Sequence, residues 1–167
     1  MVATAESVKR MIALAFADVS YPGDARIAKC SRPECDECAG IRWGLRGRSP
    51  GLMFPYVLEY HAGALPLLFP EAFHYFIPSY MSFAVEHPDS EVADFTLLSI
   101  AQAKVDDFWN ERFGLLTPSQ REAVIAFLEF MKAQEIAGDE EDNANCRKRI
   151  EAGIESWKTM ADQSVAQ

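Results

Sequence analysis

Residues 52–87 restrict the fold of this chain more than any other stretch. They are densely apolar and aromatic, and Pro55, Pro66, Pro70 and Pro78 punctuate them. Each proline fixes φ and removes a backbone donor, so it sets where a helix starts, bends or stops. The pattern predicts a short helix at 55–63, a turn near Pro66, and a longer helix from Pro70 to Glu86 that Pro78 kinks or breaks. Phe69, Phe73, Tyr75, Phe76, Tyr80 and Phe83 read as core rather than as a ligand cage, with an exposed contact surface as the alternative. His87-Pro88-Asp89-Ser90 closes the long helix, and Asp89 or Ser90 caps another at about 91–101.

The remaining segments carry helical periodicity. Val8, Met11, Ile12, Ala15, Phe16 and Val19 form one apolar stripe, which predicts an amphipathic helix over 4–18 capped by Thr4, with Glu6 near its positive end. A secretory leader would need a longer apolar run than 11–17, which Glu6 precedes and Asp18 ends. Tyr21-Pro22-Gly23-Asp24 is a turn, with φ preset by Pro and a positive φ open to Gly. A second helix starts at Pro33 or Glu34, has Glu34, Asp36 and Glu37 in its first turn, and ends near Leu45 beside Arg42. Thr117-Pro118-Ser119-Gln120 supplies a cap, a proline at the first helical position and a capping-box glutamine. They open a helix over 117–137 whose stripe is Val124, Ile125, Phe127, Leu128 and Met131, stopped by Gly138. A last helix at about 140–162 puts Ile150, Ile154, Trp157 and Ala161 on one face. No repeat is present and no alternating run demands a strand. The expectation is one all-α domain over 1–167 with about six helices, long enough at 167 residues to bury a core. No apolar run reaches the roughly 18–20 residues of a membrane helix, so a soluble protein is expected.

Cys30, Cys35 and Cys38 fall within nine residues, and Cys146 is far along the chain. A secreted disulfide scaffold would be shorter and richer in cysteine, so a reducing cytoplasm is expected. Zinc takes about four thiolate or imidazole ligands in a tetrahedron. Cys35 and Cys38 stand one helical turn apart, Cys30 supplies a third corner, and Cys146 or His61 is the candidate fourth. The spacing also matches three ligands of a plant-type [2Fe–2S] loop. Pro33 removes a donor such a loop would aim at sulfur, Asp36 and Glu37 would repel an anionic cluster, and the next cysteine is 108 residues away. Iron–sulfur is therefore set below zinc, and ordinary thiols with no cofactor above both.

Other constellations are sparse. Glu71-x2-His74 reads as the polar face of a surface helix, since a di-iron bundle would need two such pairs. Glycine-rich phosphate loops, nucleophile elbows and HExxH are missing. A Cys35 pair with His61 or His74 is the one nucleophilic option. The net charge of −9 is uneven: residues 26–48 hold six basic and three acidic groups, a local +3 that leaves −12 for the rest. That balance argues against nucleic acid as a global partner and leaves a basic protein or a local anionic ligand. Asp24 and, within the basic segment, Arg42, Trp43 and Arg46 are the candidate binding residues.

Phe16-Ala-Asp-Val-Ser-Tyr-Pro-Gly-Asp24, Cys35-Asp-Glu-Cys38, Ala64-Leu-Pro-Leu-Leu-Phe-Pro-Glu-Ala-Phe-His-Tyr-Phe-Ile-Pro78 and Arg112-Phe-Gly-Leu-Leu-Thr-Pro-Ser-Gln120, running into Ala126-Phe-Leu-Glu129, occur in this order. Together they resemble a bacterial family of small proteins catalogued as a domain of unknown function, over about residues 8–132. The resemblance implies a helical domain with the Tyr-Pro-Gly-Asp turn as a landmark, and it implies no catalytic residues. Phe69 stands where that family usually has a capping Thr, and 139–167 lies outside the resemblance as a C-terminal helix.

With no catalytic signature in a small, acidic, aromatic-rich helical domain, the expected function is non-catalytic binding of another protein. Inhibitor or immunity-type domains that mask a basic partner have this make-up. The alternative is a small metal-binding or thiol-dependent enzyme built on Cys30, Cys35 and Cys38.

Overall fold

Pro70 opens the helix around which the chain is organised. Phe73, Phe76, Ile77, Tyr80, Met81 and Ala84 leave that helix apolar on more than one face, so it needs neighbours on several sides. A computed structural model of the chain describes residues 3–32, 34–102, 104, 106–134 and 140–165, without the side chains of Phe108 and of 161–165. In it the helix α4, Pro70–Glu86, packs against α1 (Ala5–Ala15), α3 (Pro55–Tyr60), α5 (Glu91–Ile100), α6 (Asp107–Phe113) and α7 (Pro118–Lys132). Two further helices, α2 (Asp36–Leu45) and α8 (Glu140–Val165), complete the set, and α8 lies along α7. Short 3₁₀ turns cover Asp24–Arg26, Pro50–Leu52 and Ala62–Leu67. Among the described residues there is no strand, only an antiparallel bridge between Ala28 and Leu68. The protein is all-α.

Several local signals act as their chemistry requires. Thr4 accepts from the Ser7 N–H and Ser90 from the Ala93 N–H, so Ser90 rather than Asp89 caps α5. The capping box of Thr117 and Gln120 is complete. Gln120 does more than cap: its Nε2 donates to the Ala15 carbonyl at 3.1 Å and its Oε1 accepts from His74 Nε2 at 2.7 Å, so it ties α7 to α1 and α4. Gly23 takes a φ of 88° in the Tyr-Pro-Gly-Asp turn. Phe73, Phe76, Tyr80 and Phe83 are buried, which settles that part of the aromatic series as core.

Other expectations need correction. Pro78 does not break α4, which is continuous from Pro70 to Glu86. Pro78 is itself buried, and the packing of α4 against its neighbours outweighs the one backbone bond the proline removes. The helix expected at 55–63 ends at Tyr60, and Pro66 lies inside the following 3₁₀ turn. α6 was not foreseen. Asp106 accepts from the Trp109 N–H and starts it, and Trp109 and Phe113 then bury against Trp157 with ring centroids 4.7 and 4.9 Å away. Met11 is exposed, so the α1 stripe narrows to Val8, Ile12 and Phe16. α2 begins at Asp36. The expected start at Pro33, residues 135–137, the Gly138 stop and the Ala161 side chain lie outside the described residues.

The last helix is fastened at one close crossing. The Trp157 indole N–H donates to the Ile100 carbonyl at 2.9 Å, and Gly153 lies one turn earlier against the end of α5. A Cβ at Gly153 would stand 2.7 Å from the Ala101 Cα, a backbone atom that cannot rotate away. Gly153→Ala should therefore lower the unfolding free energy by about 1–3 kcal/mol despite the higher helix propensity of Ala, as read from urea unfolding.

Candidate metal centre

The site begins where the irregular segment after the first turn is pinned to the helical body. The Lys29 N–H donates to the Leu67 carbonyl at 2.9 Å and the Phe69 N–H to the Ile27 carbonyl at 3.0 Å. Ile27 and Ala28 are buried beside this short pairing, and Cys30 leaves it at a fixed place. Phe69 thereby starts α4 without a side-chain cap; its backbone pairs with Ile27, and the Arg26 guanidinium lies 3.9 Å above its ring. A tight turn follows, in which the Cys35 N–H donates to the Arg32 carbonyl at 3.1 Å. Cys35 is the N-cap of α2 and Cys38 lies one turn on, so both thiols occupy one face.

The three sulfurs converge. The Sγ atoms of Cys30, Cys35 and Cys38 all lie within 4.8 Å of one another. Cys38 is buried, and Cys30 and Cys35 are half-buried. Arg42, a further turn along α2, donates to the Cys30 carbonyl and clamps the helix onto the pinned segment. The Arg32 side chain and its backbone N–H beside the Cys30 sulfur pull that thiol down to about 7. Burial, and then the neighbouring Cys35 thiol, push Cys38 up. Tetrahedral zinc with Zn–S bonds of about 2.3 Å needs sulfurs roughly 3.8 Å apart. The side chains need close by no more than about an ångström to reach that spacing, a rotamer adjustment rather than a rearrangement.

Neither candidate fourth ligand joins them. Among the described His, Cys, Asp and Glu side chains, these three cysteines are the group that converges. His61 lies on the bare backbone of Gly44, where a Cβ would overlap its Nε2, and the Tyr60 ring meets its edge at 4.9 Å. Gly44 is six residues beyond Cys38, about 9 Å along α2. Burial, and then the charge of Arg48, lower the His61 pKa. Cys146 sits on α8 in the field of Asp94 and Arg149, with burial pushing its thiol up.

Most of the expected binding residues are fastenings. Arg46 pairs with Asp24 at 3.5 Å, and the Tyr21 hydroxyl donates to Asp24 at 2.5 Å while accepting from the Gly47 N–H at 2.8 Å. The Tyr-Pro-Gly-Asp turn is thereby stitched to the end of α2. Arg42 is engaged with Cys30, and Trp43 is 78% exposed and open to solvent. Glu71 pairs with Arg26 at 2.7 Å and His74 turns inward to Gln120, so the two are not a joint surface face. Cys35 has neither His61 nor His74 in its cluster.

One surface escaped the sequence reading. Leu52, Phe54, Tyr56 and Tyr60 are 78, 56, 62 and 83% exposed, with the Phe54 and Tyr56 rings stacked at 5.8 Å. The signal was available in spacing: Tyr56 and Tyr60 are four apart on α3, opposite the buried Val57 and Leu58.

The Arg42 clamp is testable. Arg42→Ala removes a charged donor from the half-buried Cys30 carbonyl and should cost about 1.5–3 kcal/mol of stability. It should also speed labelling of Cys30 and Cys35 by a thiol reagent in the folded protein. Unchanged labelling rates would show that the clamp does not hold the cluster.

Residues 55–161 match the family described as a family of unknown function (DUF6714). The match takes in most of α8 and omits the first 54 residues, where the motif resemblance ran over about 8–132. No curated protein and no solved structure matches the chain. Covering well over half of the sequence, the family match places this chain in the DUF6714 family of unknown function.

Proposed function

We propose that this chain is a zinc-binding helical domain in which Cys30, Cys35 and Cys38 hold one ion. The observation that carries the reading is the convergence of three sulfurs from two separately anchored segments. Thiolates select soft or borderline ions, and zinc is the redox-inert one that accepts this donor set. The ion would fasten the segment that carries Cys30 to α2, adding a link to the Arg42 clamp. A reducing cytoplasm suits the proposal, because the three thiols must stay unoxidised. Elemental analysis of the purified, untagged chain should find about one zinc per chain, and a strong chelator should lower its stability by about 3–4 kcal/mol, as for a site with zinc at several hundred times its Kd. Cys35→Ser should lose the metal and most of that increment. Four freely reactive thiols that remain so after zinc is added would refute the assignment.

A second reading rests on a different observation. The exposed aromatic face of Leu52, Phe54, Tyr56 and Tyr60 supports a non-catalytic protein-binding role, because amphipathic tyrosines are over-represented in the central contacts of interfaces. The overall charge of −9 favours a basic partner of the kind an inhibitor or immunity-type domain masks. The double variant Tyr56→Ser, Tyr60→Ser should fold normally and weaken capture of a specific partner at least tenfold. Equal capture by both forms would remove this face from the account.

A further inference from the structure

We infer that the zinc ion at Cys30, Cys35 and Cys38 keeps its fourth coordination position open and takes a small external thiol that carries a carboxylate. The inference rests on the zinc reading and goes beyond it. Structural zinc sites are closed by four protein ligands, whereas three protein ligands with an exchangeable position mark sites that act on something from outside. Here the described His, Cys, Asp and Glu side chains supply three ligands and no fourth. The two residues that would have closed the site are committed elsewhere, His61 against Gly44 and Cys146 on α8 beside Asp94 and Arg149. Glu34, Asp36 and Glu37 are close in sequence, yet their side chains are exposed and none joins the sulfurs.

The surroundings define the ligand. A centre made of three thiolates is soft, so a fourth thiolate suits it better than a carboxylate or hydroxyl oxygen. Cys30 and Cys35 are half-buried, which leaves the ion a route to solvent on their side while Cys38 lies beneath. The Arg32 side chain is exposed and lies beside the Cys30 sulfur, placing a guanidinium at the rim of the open position. Zinc with three thiolates carries a net −1. The Arg32 guanidinium offsets that charge and offers a fork that pairs with carboxylate. In the binding step the thiol gives its proton to solvent, its sulfur forms the bond to zinc, and a coordinated water leaves. No electron is transferred.

Cobalt(II) in place of zinc makes the step visible. The full-length metal-free protein is loaded with cobalt and titrated with mercaptoacetate, an anionic thiol, and with 2-mercaptoethanol, a neutral one of similar size. The thiolate-to-cobalt absorption should rise by roughly a third as a fourth thiolate joins three, with the metal still bound after desalting. Mercaptoacetate should half-saturate at the lower concentration, and Arg32→Ala should weaken it about two- to fivefold while leaving 2-mercaptoethanol unchanged. Bound cobalt whose spectrum ignores both thiols overturns the open position, as does loss of the ion to the thiol. Equal effects of Arg32→Ala on the two thiols overturn the carboxylate assignment. Failure to take up cobalt at all removes the zinc reading itself, a distinct result.

Discussion

Burial of α4 is the constraint on which everything else in this molecule depends. Phe73, Phe76, Ile77, Tyr80 and Met81 have essentially no exposed surface, and removing side chains of this size from water supplies roughly 1.5–3 kcal/mol each. One neighbour cannot cover them, so α1, α3, α5, α6 and α7 all pack against this helix. Two polar contacts inside this core reach backbone carbonyls. The Tyr80 hydroxyl donates to the His61 carbonyl at 2.9 Å, and the buried Arg112 donates to the Leu65 carbonyl at 2.7 Å. Both lie at the break between α3 and α4, where each carbonyl also accepts a local N–H, from Ala64 and Leu68 respectively, and the side chains add a second donor that ties the turn to the core.

The cysteine cluster depends on that core indirectly. The start of α4 offers the Leu67 carbonyl and the Phe69 N–H as a short edge, and residues 27–29 pair with it. Cys30 is thus positioned by the aromatic core rather than by its own neighbours. α2 brings the other two thiols, and Arg42 joins the halves. A pinned strand-like segment and a short helix meeting over three sulfurs form a preorganised donor set, whose ordering entropy is met by folding before any ion arrives.

Sequence made the architecture legible where a signal had one physical meaning. The Thr117–Gln120 capping box, the proline at the start of α4 and the apolar stripe of α1 each name a backbone donor to satisfy or a face to bury. α6 was hidden because seven residues cannot display a helical period, and its stability comes from Trp109 and Phe113 meeting Trp157 from the far end of the chain. The cysteines were legible from spacing alone, and the helical turn between Cys35 and Cys38 brings two of them together, whereas Cys30 joins them through the pairing of residues 27–29 with the start of α4. The fates of His61 and Arg42 were not, because both are set by contacts across space: a missing Cβ at Gly44, and a carbonyl twelve residues away. The exposed face of α3 was masked by the dense apolar composition around it.

X-ray absorption at the zinc edge of the purified protein, loaded with zinc and desalted free of small thiols, addresses the cluster most directly. Three sulfurs at about 2.3 Å with one lighter atom at about 2.0–2.1 Å are the predicted shell. Four sulfurs would mean that Cys146 or a second chain closes the site, and a shell of nitrogen and oxygen alone would mean that Cys30, Cys35 and Cys38 are not the ligands.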